Sequence, residues 1–472
     1  MIFRIARKEM TEMIRDGRFR VSAAIVFALL AGSLLLGWHH YREIRAQHIA
    51  AQQATREQWL KQGNKNPHSA AHYGVYAFKP TAPLSLVDHG TDPYTGVAVW
   101  LEAHKQNEFK YRPAQDATAV QRFGELTGAT VLQLLLPLLI VLLTFNAFAG
   151  ERELGTLRQL VSLGVKPSDL ALGKAVGVAG SLLLLLIPAT IAGSIAITMA
   201  SGGEETAAAL PRAGWMSLGY LLYFGAFIGG SLAVSAFASS SRAALIALLG
   251  FWMFNGLIAP RAASDIAKSL RPTPSAFEFG QKMELALKNG VDGHDPADAR
   301  NKKLEEDLLK KYKVDKVEAL PVNFAGMRLQ EGENHGNEVF DHAYADLWSV
   351  FAQQDAVHRV LALAAPGLAA RSISMGFAGS DFPQHAHFAK AAEDYRRMLQ
   401  RTMNADLIRN ASNTAPYFAG DDLWAKVPAF EYTAPAANWV AAQQTSAFGI
   451  LALWCCAAVA AAVWTARRMQ VY

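Results

Sequence analysis

Six apolar blocks, each close to the length needed to cross a lipid bilayer, constrain this chain more than any other feature of its sequence. They are 21–38, 129–149, 175–200, 213–238, 243–259 and 446–466, and none contains Asp, Glu, Lys or Arg. A hydrocarbon core about 30 Å thick takes about 20 helical residues to span. Lipid offers no partner for backbone N–H and C=O groups, so each block is expected to be a helix. Pro137 and Pro188 fall inside blocks, where neighbouring helices tolerate a kink. The Gly and Ala of the third and fourth blocks permit close packing. A seventh stretch, 360–379, holds Pro366 and Arg371 and follows Arg359 directly. It is read as a soluble or interfacial helix. The expected fold class is an all-α integral membrane protein with six transmembrane helices.

Positive charge orients the bundle. With the N-terminus inside, the inner segments are 1–20, 150–174, 239–242 and 467–472, and roughly one residue in four of them is Lys or Arg, about double the density of the other loops. Both termini are therefore expected in the cytoplasm, with 467–472 as a short tail. The first block ends in Leu36-Gly37-Trp38-His39 with no small-residue cleavage site, so it is expected to remain as an anchor. Two long segments, 39–128 and 260–445, then lie outside. The first mixes a charged helical stretch, Tyr41 to Gln62, with a Pro/Gly-rich part around Pro80, Pro83, Pro93 and Gly96. The second opens with the linker Arg271-Pro272-Thr273-Pro274, and apolar spacings of three and four predict helices at 281–289, 300–318, 337–364 and 386–410. The two are expected to pack as one mainly helical extracytoplasmic domain.

Two inner pieces are distinctive. Arg4, Arg7, Lys8, Thr11, Glu12 and Arg15 recur at helical spacing, opposite Ile2, Phe3, Ala6, Met10, Met13 and Ile14. That pattern predicts a basic amphipathic helix, 1–20, lying in the membrane interface among lipid headgroups. Between the second and third blocks runs Gly150-Glu151-Arg152-Glu153-Leu154-Gly155-Thr156-Leu157-Arg158-Gln159-Leu160, reaching Lys166-Pro167-Ser168-Asp169 and Gly173-Lys174. Leu154, Leu157, Leu160 and Val161 form an apolar edge on a short helix ended by Gly164 and Pro167, and Ser168 is placed to cap the next helix. A short charged helix held between two spans can pass force from a docked protein into the membrane.

This loop resembles that of ABC-2 type exporter permeases, whose pattern is Glu-Arg, Gly-Thr, a Leu, a Pro and a closing Gly-Lys. Glu151, Arg152, Gly155, Thr156, Leu157, Leu160, Pro167, Gly173 and Lys174 match it in order. Pro366, Ala378-Gly379-Ser380-Asp381, His387-Phe388 and Ala392-Glu393-Asp394-Tyr395-Arg396 resemble a subfamily with large external inserts, with Ala365 and Ser380 departing from its Ser and Thr. The resemblance implies a permease subunit in a bacterial inner membrane, paired with an identical or paralogous permease chain. It also implies coupling through Glu151, Arg152, Glu153, Gly155, Thr156, Leu157, Leu160, Pro167 and Lys174 to an ATP-binding cassette ATPase. ATP and Mg would bind that partner, and this chain would hold no cofactor.

Other chemistry finds little footing. No Gly-x-x-x-x-Gly-Lys-Ser/Thr phosphate loop, His-Glu-x-x-His or Gly-x-Ser-x-Gly occurs, so no catalytic residue is expected. Basic residues form no stripe with aromatics, which argues against nucleic acid. The two cysteines, Cys455 and Cys456, are adjacent inside an apolar block. Asp381, His385 and His387, with His342 and His358 upstream, are the nearest approach to a metal constellation. The spacing of two between the histidines suits helix capping better, so no metal is expected and the external domain should fold without one. Thr144, Asn146 and Asn255 are polar groups inside blocks; they bond between helices or line a substrate path. A second reading is a membrane-anchored scaffold or sensor whose external domain binds a partner without transport. A secondary transporter ranks last, since the blocks hold no carboxylate.

Overall fold

The computed structural model describes residues 1–116, 126–291 and 297–469. Helix α1 (Ile2–Arg15) stops at Asp16, whose backbone is extended and whose carboxylate accepts from Arg18 N at 2.8 Å, capping α2 (Gly17–Leu60). Helix α2 runs unbroken for 44 residues, about 66 Å. The first span and the charged stretch after it are thus one rod. Then come α3 (Pro67–Tyr73) and three short strands, β1 (Val75–Phe78), β2 (Ala98–Glu102) and β3 (Lys105–Gln106). They form an antiparallel sheet in the order β1-β2-β3, with Val75 opposite Leu101 and Glu102 opposite Lys105.

The second span, Gly128–Glu153, contains a π-helical turn at Val131–Leu135, then α4 (Leu136–Thr144) and, past a turn, α5 (Ala149–Glu153). Helix α6 (Thr156–Ser162) leads to α7 (Pro167–Ala200) and α8 (Gly203–Phe237), the third and fourth spans. The fifth, Ser241–Leu270, joins α9 (Ser241–Met253) to α10 (Ala259–Leu270) through a second π-helical turn at Phe254–Ile258. Helices α11 (Ala276–Asn289), α12 (Ala297–Tyr312), α13 (Phe324–Leu361), α14 (Pro366–Ala378) and α15 (Phe382–Asn410) precede α16 (Thr445–Arg468), the sixth span. All six helices coincide with the apolar blocks and are long and apolar enough to cross a membrane.

Trp215 meets Phe448, a Cβ on Gly225 would strike Cys455, and one on Gly229 would strike Ala458, so α8 and α16 run parallel. The C-terminal ends of α8 and α16 therefore lie at one end of the bundle, and Arg152 and Lys174 bring α1 and the 145–174 segment to that same end. It is called the terminal end below.

Two apolar cores result. One fills the bundle. The other, at the far end, joins Trp59, Val75, Ala77, Val99 and Leu101 to Phe388, Leu399, Met403, Trp424 and Phe430. Trp59 Nε1 donates to the carbonyl of Trp424 at 3.0 Å. The two long segments therefore build one domain. The sheet within it departs from an all-helical expectation: Val75-Tyr76-Ala77-Phe78 and Ala98-Val99-Trp100-Leu101-Glu102 are too short to show a period among the prolines around them.

The stretch 360–379 departs further. Gly219 accommodates Ile373, Tyr220 donates to Ser374 Oγ at 2.8 Å, and Gly367 N donates to Asn255 Oδ1 at 2.8 Å. Asn255 Nδ2 in turn reaches Tyr223 Oη at 2.9 Å, and Trp454 Nε1 donates to the Leu363 carbonyl at 3.1 Å. Along their helices Tyr223, Asn255 and Trp454 each lie 14 residues, about 21 Å, from the terminal end. Helices α13 and α14 therefore form a re-entrant hairpin whose tip, 362–365, reaches inside the depth of the spans. Here α14 is buried among spans rather than soluble or interfacial. Leu363 and Ala364 at the tip are exposed, and its backbone is satisfied locally, Leu363 N donating to the Val360 carbonyl and Ala364 N and Ala365 N to the Leu361 carbonyl.

Candidate functional site

The terminal end is organised by three consecutive side chains. Glu151 Oε1 accepts from Lys174 Nζ at 2.8 Å, and Lys174 donates also to Glu9 Oε1 at 2.9 Å. Arg152 reaches the carbonyls of Ala236 and Ala238 at 2.6 and 2.5 Å, the C-terminal end of α8. A guanidinium suits that site, because the last carbonyls lack helical donors and carry partial negative charge. Glu153 accepts from Ser241 N and Oγ at 2.7 and 2.9 Å, at the N-terminus of α9. Residues 151–153 thus clamp the third, fourth and fifth spans and α1, one partner after another. Ser235 Oγ adds a further tie, accepting from Phe148 N at 3.0 Å and donating to the Phe145 carbonyl at 2.8 Å.

Glycines decide how α1 docks. A Cβ at Gly173 would lie 2.6 Å from the Ile5 side chain, and one at Gly177 would lie 2.7 Å from Glu9 Cβ and 2.9 Å from the Ala6 carbonyl oxygen. Gly-Lys at 173–174 therefore opens a groove for α1 and supplies the cation that holds it. The buried face of α1 is Ile5, Ala6 and Glu9, while Phe3 is fully outward and Arg4, Arg7, Lys8 and Arg15 remain exposed. The face packed on protein thus includes a carboxylate, which the apolar pattern did not anticipate.

Gly155 breaks the loop into α5 and α6 with φ +72°, a left-handed conformation that strains any side chain. Gly164, φ +81°, ends α6 in a Schellman turn: Val165 N donates to the Leu160 carbonyl. Thr156 Oγ1 donates to the Glu151 carbonyl at 3.1 Å. Three expectations need correction. Leu157 is 1% exposed and belongs to the bundle core, with Leu160 packed beside it, so neither offers a free docking edge. Leu154 and Leu163, 80% and 81% exposed, are the outward-facing leucines of this loop. Ser168 caps nothing: Pro167 starts α7, being preset for the first helical position, and Lys166 at the cap makes no side-chain bond.

Within the bundle, Thr144 is buried and bonds back to the Ile140 carbonyl at 2.6 Å. Asn255 is buried between α8 and α14 as described, and the Asn146 carbonyl accepts from Gly150 N. The first two are thus joined to protein.

In the domain at the far end Asp381 caps α15 through Gln384 N at 3.1 Å. Ser380 Oγ donates to the Asp88 carbonyl, and Gly379 ends α14 with φ +83°. Arg396 is fully buried against Glu393 at 2.6 and 2.7 Å. Asp381, His385 and His387 do not converge: His387 meets Tyr432 Oη at 2.9 Å, and His385 packs on Phe109 at 4.5 Å. Burial, then the charges of Lys79 and Arg112, pushes the His385 pKa down to about 3 from 6.5. The unfolded chain gains this proton below pH 6.5 while the folded one stays neutral, so stability falls as pH drops through that window. Acidifying from 6.5 to 5 should cost about 1.5–2 kcal/mol through this group. His385→Leu should flatten the thermal midpoint over that range; an unchanged slope would assign it to other groups.

Three histidines from elsewhere do converge. His68 Nε2 lies 3.1 Å from His72 Nε2 and 3.2 Å from His104 Nε2. Sequence reading passed over this cluster, although His68 and His72 stand four apart in a short helical stretch.

Comparison with known proteins bears on one part of the chain. No curated protein matches it. Residues 276–433 match a family described as a domain of unknown function, DUF3526, a stretch from α11 past α15 that contains the re-entrant hairpin and none of the six spans.

Proposed function

We propose that this chain is the membrane-spanning permease subunit of an ATP-driven exporter, with the terminal end in the cytoplasm of a bacterial inner membrane. The observation that carries this reading is the clamp at 151–153. A force applied to the loop tip moves α1 and three spans as one unit, which is what coupling to a separate motor requires. Leu154 and Leu163 present the apolar contact for that motor, an ATP-binding cassette subunit that binds ATP and Mg. The Lys and Arg density at this end favours the cytoplasm, and the domain at the other end is then periplasmic. A second permease chain completes the substrate path, and the hairpin tip near Asn255 and Tyr223 lies where such a path crosses the membrane. This chain performs no catalysis.

Burying two exposed Leu side chains is worth about 1.5–3 kcal/mol each. Replacing Leu154 and Leu163 together by Asp should therefore release the ATPase during purification from native membranes and abolish substrate-stimulated ATP turnover, with insertion intact. A cysteine at Gln159 should resist impermeant reagents applied from outside, while one at Thr91 should label. Wild-type ATPase retention in the double variant would remove the coupling role and leave a membrane-anchored scaffold as the better reading.

A further inference from the structure

Three imidazole nitrogens aimed at one point are an unusual thing to build without a cation between them. The Nε2 separations of 3.1 and 3.2 Å around His68 compare with about 3.3 Å between ligands of a tetrahedral zinc at Zn–N of about 2.0–2.1 Å. The candidate ligand atoms of His68, His72 and His104 all lie within 4.8 Å of one another, and the ring centroids are 4.6, 4.8 and 4.9 Å apart.

Each ligand is positioned by something other than its neighbours. His68 and His72 are four residues apart on α3, so they share a face, and Asn66 caps that helix through His68 N at 2.9 Å. His104 sits in the β2–β3 turn with φ +65°, a conformation rare outside glycine. Glu333 of α13 holds it there: Oε1 lies 2.6 Å from His104 Nδ1, and Oε2 lies 3.4 Å from the His104 backbone N. Glu333 is 2% exposed, and Gln400 donates to it. With a carboxylate oxygen this close, a proton on Nδ1 would leave the Nε2 lone pair facing the cluster, as in a metal-bound imidazole backed by a carboxylate. The rings of His72 and His104 are exposed on the outer side.

We propose that His68, His72 and His104 bind a zinc-type divalent cation, oriented by Glu333 and open to solvent at a fourth position. Three imidazole ligands suit Zn2+ and its borderline neighbours, whereas Ca2+ and Mg2+ prefer oxygen. The ligands come from the first long segment and the orienting carboxylate from the second, so the ion would tie the two halves of the external domain together. This proposal does not depend on the transport reading.

The test uses full-length protein in detergent, free of any histidine tag. Titration with Zn2+ should show one site per chain and raise the thermal midpoint, and Co2+ should give the visible absorption of a tetrahedral complex. Ca2+ and Mg2+ should do neither. His72→Ala, at an exposed position, should fold normally and lose at least about 100-fold in Zn2+ affinity, and Glu333→Gln should lose about 10–100-fold. His387→Ala should bind as wild type. Equal Zn2+ affinity in wild type and His72→Ala would overturn the site, as would the absence of one-to-one binding in a protein whose thermal transition is intact.

Discussion

Replacing Lys174 by Met is expected to destabilise the terminal end by about 3–5 kcal/mol and to detach α1 from the third span. The ammonium is 3% exposed and stands between Glu9 and Glu151, at 2.9 and 2.8 Å. Removing it strands two carboxylates against each other in a site with little water. The volume of the side chain is preserved by Met, so a loss of this size would come from charge. The measure is thiol labelling of a cysteine at Ile5, a position buried against the third span. Labelling should rise sharply in Lys174→Met and fall back when Glu9→Gln and Glu151→Gln are added. Unchanged protection in the single variant would mean that the glycine groove alone holds α1 and that the cation is incidental.

The second large effect is expected in the domain at the far end of the bundle. Arg396 is fully buried, grips Glu393 through two bonds, donates to Asn337 Oδ1 at 2.5 Å and passes 3.9 Å from Glu333. Arg396→Met should cost about 3–5 kcal/mol, because Glu333 loses its nearest cation while Glu393 keeps only Arg397. Arg396→Lys should recover only part, since an ammonium lacks the planar fork that holds both carboxylate oxygens. The thermal transition of the full-length protein reports the loss. A midpoint within experimental error of wild type would show that water reaches the pair once the guanidinium is gone. Because Glu333 also orients His104, the same variant should weaken Zn2+ binding, whereas Lys174→Met should leave it unchanged.

Several site residues were legible in sequence, but their partners were not. Glu151, Arg152, Gly155, Gly173 and Lys174 stood out as a pattern, and each proves to have a distinct physical task at the terminal end. The patterning of Leu154, Leu157 and Leu160 could not say which leucine faces inward. Gly155 inserts a left-handed residue that resets the phase of α6, so Leu157 turns into the core and Leu154 out of it. The histidine cluster was hidden for a different reason. His104 is 32 residues beyond His72, beside strands too short to announce themselves, and only folding brings that turn against α3 and Glu333.

The sequence by itself determined the six spanning helices and the linker at 271–274. Apolar length and proline act locally, through the solvent each residue must face and the backbone angles it permits. Apolar period also carried the existence of the helices of the second long segment but not their bounds: α12 ends at Tyr312 rather than 318, and α13 begins at Phe324 rather than 337, where Asn323 caps it. Only the tertiary structure decided that α14 is half of a re-entrant hairpin. The composition of 360–379, with Arg371 beside apolar residues, suits an interfacial helix equally well. Its depth is set by Asn255, Tyr223 and Trp454 on three other helices, whose polar atoms satisfy backbone and side-chain groups near the tip. Hydrogen bonds between residues 32, 91 and 112 positions apart leave no period in a sequence, and they are what holds that tip inside the bundle.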